Sequence, residues 1–441
     1  MLFCMRMTCR IIITKAERGA ARTWTAAFAR ENLFGGEQIM EKMNIAVCFG
    51  SRSVEHDVSV ISALQLMEAA EAAGHTVIPV YISREGLWYT GNALRQVETF
   101  REFNPMGKEV QRVILDISSG SGDLWAWPLQ KTGLFGRLPD PVAHIDCAIP
   151  VFHGMNGEDG TIQGLFEMAG IPYASSGVLG SSVGMDKIAM KQLLRGAGFP
   201  VLDFIWFTRD QLEKDRLKIV ERAEQEIRYP MFVKPASLGS SIGVSKAVNR
   251  EELEKALALA ASYDRRILIE VGIEHPVEIN CAAVGYGENV QSSVCEMPVS
   301  ASDDSFLTFW EKYLRNNGAK GPQSHGMKSL SRVLPAPIDA GLTHRIQQMT
   351  VDIFKLLDFR GTVRVDYILD HNDILYVEEP NTIPGSMAFY LWKAAGINFP
   401  ELVDRLIESA MQAFADKNRS VYAYDSTILQ KVTAGAKGSK G

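Results

Sequence analysis

Near the C-terminal end, apolar and polar residues alternate in two runs. Gly361-Thr-Val-Arg-Val-Asp-Tyr-Ile-Leu-Asp370 and Ile374-Leu-Tyr-Val-Glu-Glu-Pro-Asn-Thr-Ile-Pro-Gly385 flank the turn formers Asp370-His371-Asn372-Asp373. The pattern predicts a β-hairpin. Residues two apart in a strand share a face, which groups Arg364 with Asp366 and Glu379 with Asn381. By the same parity Glu378 points to the opposite face. Where the two polar faces coincide, two carboxylates and an amide oxygen meet beside an arginine. Such an all-oxygen set suits Mg²⁺, which takes few protein ligands and completes its octahedron with phosphate oxygens and water. A surface hairpin with solvated charges is the competing reading. It accounts poorly for a second strand that ends in acid-Pro-Asn-Thr-Ile-Pro-Gly.

The pattern upstream predicts an α/β chain of three domains, at 43–172, 173–268 and 269–425. Asn44–Gly50 reads as a buried strand and Ser51–Asp57 as a turn. A helix follows, carrying Val60, Ala63, Leu64 and Met67 and stopping at Gly74; His75–Ile82 is the next strand. This βαβ start predicts a parallel sheet. Residues 83–143, rich in glycine and aromatics, read as irregular edge decoration. Asp146–Phe152 is a further strand, leading into His153–Gly160. In the central domain, Met185-Asp186-Lys187 opens a helix with Met190, Leu193, Leu194 and Ala197 in one stripe. Strand Met231–Pro235 enters the loop Ala236–Gly243, and Asn249 with Glu252 forms a helix-capping pair. The run Arg266–Glu270 opens the third domain. That domain holds a polar loop at about 315–332, the hairpin, and a closing helix from Pro400 to about Ala415. The tail 426–441 reads as disordered.

Composition narrows the class. The chain has 441 residues, 46% of them hydrophobic and 22% charged, as in an ordinary globular protein. A net charge of -6 argues against a nucleic-acid partner. The six cysteines show no metal-ligand spacing, which fits a reduced, cytoplasmic protein. No apolar run reaches the length of a membrane span. Residues 1–42 are basic and lack helix caps, so they are expected to lie outside the fold. A transit peptide and translated upstream sequence are the two readings. The scarcity of serine and the run Gly35-Gly36-Glu37 favour the second, with a start at Met40 or Met43.

Two further elements bear on chemistry. In the loop Ser237–Gly243, Gly239 and Gly243 are expected at positive φ, baring the amides of Ser240 and Ser241 to an anion. It is neither a Walker loop nor a dinucleotide fingerprint. Lys234, at the end of the preceding strand, and Lys187, on the neighbouring helix, are placed to reach phosphates. Single lysines are usually solvated, and Gly-Ser loops are usually turns. Both lysines, the loop and a hard-metal triad on one chain point to ATP.

The motifs in order resemble those of the D-alanine–D-alanine ligases of the ATP-grasp superfamily, from Asn44 to about Ala410. They are Glu55-His-Asp-Val-Ser59, His153-Gly154 with Gly157-Glu-Asp-Gly160, Met185-Asp-Lys187, Val233-Lys-Pro235 with its Gly-Ser-Ser loop, Glu311-Lys-Tyr313, Arg364-x-Asp366 and Glu379-x-Asn381-Thr-x-Pro-Gly385. The resemblance implies an N-terminal substrate domain and two α+β domains sandwiching ATP. It implies ligation of two D-alanines through an acyl phosphate, for peptidoglycan, by a homodimer using two Mg²⁺ or Mn²⁺ ions. Asp366, Glu379 and Asn381 would hold the metals, and Lys187, Lys234, Ser240 and Ser241 the phosphates. Glu270 and the backbone at Val271 and Ile273 would hold adenine, with Glu278 on the ribose. Glu55 would bind the first ammonium and connect through Ser240 to Tyr313. His153 and Lys312 would face the transferred phosphoryl group. Arg364 and the Gly385 amide would stabilise the oxyanion. The loop 315–332 would act as a lid.

The chain departs from the family pattern at two positions that matter. Tyr390 stands where relatives carry the serine that grips the second alanine's carboxylate, and Phe49 replaces a glycine of the first turn. The rival readings are therefore the same mechanism with another second D-amino acid, and a nucleotide-binding ATP-grasp protein without catalysis. The complete acid–amide set and both lysines speak against the latter.

Overall fold

A computed structural model describes residues 41–129, 139–299 and 332–421. Lys42–Phe414 form one compact unit. The leader, Lys312, Tyr313, nearly all of the predicted lid and the tail fall outside the described residues.

The first sheet holds β1 (Asn44–Gly50), β2 (Thr76–Ile82), β3 (Trp88–Thr90), β4 (Gln111–Leu115), β5 (Asp123–Ala126), β6 (Ala143–His144) and β7 (Cys147–Pro150). Its order is β6-β5-β4-β3-β2-β1-β7. β1 pairs parallel with β2 and β7, as a βαβ start requires. The stretch read as irregular instead supplies β3 to β6, all antiparallel, so the sheet is mixed rather than parallel. These strands run only two to five residues, too short for periodicity to separate them from loop. Helix His56–Ala72 covers one face; its Val60, Ala63, Leu64 and Met67 are buried. Phe49 is buried against Tyr81 and Phe100.

The second sheet is antiparallel, in the order β10-β9-β11-β8. Its strands are β8 (Phe204–Thr208), β9 (Met231–Pro235), β10 (Ser245–Ala247) and β11 (Arg266–Val271). Arg266–Glu270 therefore completes the central sheet instead of opening the next domain. Val220, Ala223, Leu253 and Leu257, from two covering helices, pack on Val233, Ile267 and Ile269. The Asn249 side chain accepts from the Glu252 amide, capping one of these helices.

The third sheet runs β14-β13-β12-β15-β16. Its strands are β12 (Val277–Tyr286), β13 (Asn289–Pro298), β14 (Arg332–Val333), β15 (Gly361–Leu369) and β16 (Leu375–Asn381). The predicted hairpin is β15–β16, closed by Asp370, whose carboxylate accepts from the amides of Asn372 and Ile374. Ile279, Cys281, Val365, Tyr367 and Val377 face a core completed by helix Ala340–Leu356. Helix Lys187–Gly196 gives Met190 and Leu194 to that same core, whereas its Ile188 packs on Ala236 and Leu268 of the second sheet. Leu193, expected in the buried stripe, is exposed. One helix thus wedges between two sheets and carries lysines into the gap.

Candidate active site

The gap between the second and third sheets is an open cleft. Lys187, Lys234, Ser241 and Leu238 line one side; Glu278, Asn280, Asp366, Glu378 and Glu379 line the other. Most of the residues singled out for nucleotide and metal thus converge.

The hairpin register explains the acidic wall. Asp366 pairs with Glu379 and Arg364 with Asn381, but Tyr367 pairs with Val377, so Glu378 is the extra residue of a β-bulge. Strict alternation was expected to send Glu378 to the back. The bulge breaks that parity, and both acids face the cleft. The polar face continues sideways, because Asn280 is in register with Asp366 on one flank and Glu296 on the other. Arg364 grips Asp366 through two bonds, of 2.6 and 2.8 Å, and the Asn381 amide donates to Asp366 at 3.1 Å. Among the described residues no three His, Cys, Asp or Glu side chains gather into a metal set. Two carboxylates and an amide oxygen are the donor types that a hard cation takes; here they are held by Arg364, Lys187 and one another.

Cations face this wall. Lys187 Nζ lies 2.6 Å from Glu379 Oε2 and donates to the Leu238 carbonyl at 2.8 Å. Asp186 caps the helix that carries it, accepting from the Ala189 amide and pairing with Arg266. Lys234 is buried and bonds to both Glu270 and Glu378. Burial would lower its ammonium pKa, but the two carboxylates outweigh burial and raise it. Burial likewise works to raise Glu378, yet Lys191 and Lys234 hold it well below the usual carboxylate range. Lys191 is a third, fully buried lysine on the same two acids. It lies four residues after Lys187 on one helix face, a spacing that could have revealed it.

The anion loop differs in detail from expectation. Positive φ falls on Ser240 (52°), Ser241 (58°) and Gly243 (73°), and Gly239 is not among them. Ser240 and Ser241 are the central residues of a tight turn that the Ile242 amide closes on the Gly239 carbonyl at 3.1 Å. Gly239 serves by its lack of a side chain: a Cβ there would stand 3.2 Å from Glu55 Oε2.

Glu55 is buried at the start of helix His56–Ala72, and Ser240 donates to its Oε1. The predicted Glu55–Ser240 link therefore exists. A Cβ on Gly154, whose φ is 73°, would approach Glu55 Oε2 to 2.4 Å. His153 is buried: its Nε2 meets Ser62 Oγ at 3.0 Å, and it also contacts the Ile383 carbonyl. Burial pushes its pKa down to about 4, so the ring is neutral. It is not among the residues that line the cleft. Ser62 Oγ also accepts from the Ser386 amide, tying His153 to the turn after Gly385. That turn holds Ser386, Met387 and Ala388 at positive φ near 50°.

Sequence reasoning gave Glu158 no role. It accepts from the amides of Gly154 and Ile383 at 2.9 and 3.0 Å, joining two site loops. Burial first, then the Glu55 charge, raises its pKa to about 8 despite those donors. Glu270, predicted at adenine, is buried and turned to the two lysines. The Val271 amide donates to the Asp203 carbonyl, Ile273 is half-buried just beyond it, and Glu278 reaches the cleft. Tyr390 is buried; its hydroxyl donates to Glu296 at 2.9 Å and the Arg332 guanidinium stacks 3.7 Å from its ring.

Two family models match in sequence order: D-ala D-ala ligase N-terminus over residues 44–176 and D-ala D-ala ligase C-terminus over 193–408. The chain belongs to the D-alanine–D-alanine ligase family. A D-alanine–D-alanine ligase from Thermosipho melanesiensis is 37% identical over 388 residues, 88% of this chain and 98% of that protein. One from Thermosipho africanus is 34% identical over 387 residues, at the same coverage of 88% and 98%. The solved D-alanine–D-alanine ligase from Coxiella burnetii superposes with a TM-score of 0.68 at 26% identity, covering 86% of this chain and 97% of its own. The VanG D-Ala:D-Ser ligase from Enterococcus faecalis also scores 0.68, at 29% identity, covering 84% and 100%. The three-sheet α/β architecture is thus the ATP-grasp fold of D-alanine–D-alanine ligases. Family membership makes the chain an ATP- and divalent-metal-using ligase. Among the described residues no helix is long and apolar enough to cross a membrane.

Proposed function

We propose that this chain joins two D-alanines into D-alanyl-D-alanine at the expense of ATP, for peptidoglycan synthesis. The observation that carries the reading is the bulged hairpin: Asp366 and Glu379 line one face of the cleft, opposite Lys187 and Lys234, and Asn381 is bonded to Asp366 beside them. Asp366, Glu379 and Asn381 would hold Mg²⁺ or Mn²⁺, which when bound neutralises phosphate charge.

The remaining chemistry belongs to this chain's own side chains. Lys187 and Lys234 exchange carboxylate partners for phosphate oxygens, and the amides of Ser240 and Ser241 close over them. Glu270 with the Val271–Ile273 backbone takes the adenine, and Glu278 takes the ribose. Glu55, oriented by Ser240, pairs with the first alanine's ammonium and presents its carboxylate. That carboxylate attacks the terminal phosphorus, the bond to ADP breaks, and an acyl phosphate forms. The second alanine's free amine then attacks the acyl carbon; the carbon–oxygen bond to phosphate breaks, and the leaving phosphate takes up the proton that the amine gives up as the amide forms. Arg364 and the Gly385 amide oppose the charge that develops on the acyl oxygen. Neutral His153 holds the Gly385 turn through Ser62. The three proposed domains are the three sheets with their covering helices, the second ending after β11 rather than at 268, and the assembly is a cytoplasmic homodimer. The described cysteines, all free and buried, support a reducing compartment.

A second reading keeps the mechanism and changes the acceptor. Buried Tyr390 at the family's serine position favours it, as does the likeness to a D-Ala:D-Ser ligase. ADP release by the full chain, measured with D-alanine alone and with D-alanine paired with D-serine, separates the two. Turnover on D-alanine alone supports the first reading and preference for the mixed pair the second. No ADP release with any D-amino acid overturns both.

A further inference from the structure

Lys234 is the phosphate-binding residue that must give up the most. Its ammonium bonds Oε1 of Glu270 and Oε1 of Glu378. The other oxygen of each acid belongs to a second cation: Lys191 Nζ lies 2.9 Å from Glu270 Oε2 and 3.2 Å from Glu378 Oε2. Two lysines and two acids therefore alternate around a closed ring, each acid dividing its oxygens between the same two ammoniums. Side-chain exposure is 1% at Lys191 and Glu270, 2% at Lys234 and 8% at Glu378. Lys234 and Glu378 reach the cleft, whereas Lys191 is not in its lining.

Burying an isolated charge is costly, and leaving like charges together without a counter-ion is costlier. When Lys234 turns to a phosphate, two carboxylates in one dry cavity lose a shared cation. Lys191 remains on both. We propose that Lys191 is a positioning residue for nucleotide binding: a resident counter-ion that keeps Glu270 and Glu378 in place while Lys234 exchanges them for phosphate. This rests on the reading that the chain takes ATP, and it assigns Lys191 no contact with substrate.

The test uses the full chain as wild type, K191M and K191M/E378Q. Magnesium-ADP affinity is read by calorimetry, and KM and kcat by ADP release with D-alanine. In K191M a single ammonium must serve two buried acids, so Lys234 is held back from phosphate. Magnesium-ADP affinity should fall and KM for ATP rise by about tenfold or more, with KM for D-alanine within about twofold of wild type. K191M/E378Q restores one cation to one acid and should regain most of the lost affinity. K191M binding magnesium-ADP within about twofold of wild type overturns the proposal, as does a double variant no tighter than the single. If K191M fails to fold, the double variant decides: near-wild-type affinity supports the counter-ion role and lost affinity overturns it. Failure of the ATP reading shows separately, as wild type that neither binds magnesium-ADP nor releases ADP.

Discussion

Glu378 and Glu379 are adjacent in sequence and face the same cleft, which a regular strand forbids. The bulge between the Asp366–Glu379 and Tyr367–Val377 pairs lets one acid address the lysine ring and the other the predicted metal. One strand thereby serves two electrostatic functions at consecutive residues. Bulges next to active sites commonly re-aim a side chain in this way.

Glu379→Gln should abolish turnover and leave the fold intact. Glu379 is about one-fifth exposed, with a side-chain exposure of 21%. Its ion pair with Lys187, partly solvated, contributes at most about 1 kcal/mol to stability. The lost carboxylate charge at the phosphoryl-transfer centre should cost about a hundredfold or more in kcat. ADP release and thermal unfolding, measured side by side, check both halves. Retained activity would remove Glu379 from the metal set.

Gly154→Ala should damage the proposed first amino-acid subsite specifically. The added Cβ would meet Glu55 Oε2 at 2.4 Å, on a residue at φ 73°. Both the clash and the left-handed backbone count against alanine, at a cost of about 1–2 kcal/mol in stability. Displacing Glu55 should raise the KM of the first D-alanine about tenfold, with KM for ATP little changed. Equal loss for both substrates would mean that the glycine serves only the backbone.

The hairpin, the first βαβ unit and the helix carrying Lys187 were legible because alternation and helical spacing are local signals. The Glu55–Ser240 link, spanning two sheets, was legible only through the resemblance, since no spacing relates positions so distant in sequence. The ring around Lys234 was not legible: it needs β9 and β11 to be neighbours, and sheet order is not written in either strand. The bulge at Glu378 hid for a different reason. One extra residue reverses the parity of everything beyond it, and the sequence carries no mark of where the count slips. Short strands β3 to β6 were missed because two to five residues carry too few alternations.

Tyr390→Phe should separate packing from hydrogen bonding at the proposed second amino-acid subsite. The ring stays under Arg332, but Glu296 loses the hydroxyl donor at 2.9 Å and keeps Asn280 and Arg332. With two donors left, the stability cost should be about 1 kcal/mol. If Tyr390 borders the acceptor, KM for the second D-amino acid rises several-fold and KM for ATP does not. Unchanged kinetics would place the phenol in the core alone.

Glu158 should give the protein a pH-dependent stability of definite sign. Its carboxyl, raised by burial and by Glu55, stays protonated in the folded state up to about pH 8. In the unfolded chain the same group ionises near about pH 4.5. Between those values the folded state holds one proton more, so its contribution is fully present below the lower value. It is lost as pH rises through the upper one. The slope is about 1.4 kcal/mol per pH unit in that window. His153, held neutral by burial with a pKa of about 4, works the other way, costing stability as pH falls below its unfolded value. Subtracting the stability of Glu158→Gln from that of wild type cancels the histidine and isolates the carboxyl. Denaturant unfolding of both from pH 6 to 9 should show that difference shrinking until about pH 8 and then levelling. A difference independent of pH would mean that Glu158 is ionised in the fold, with the Gly154 and Ile383 amides outweighing burial.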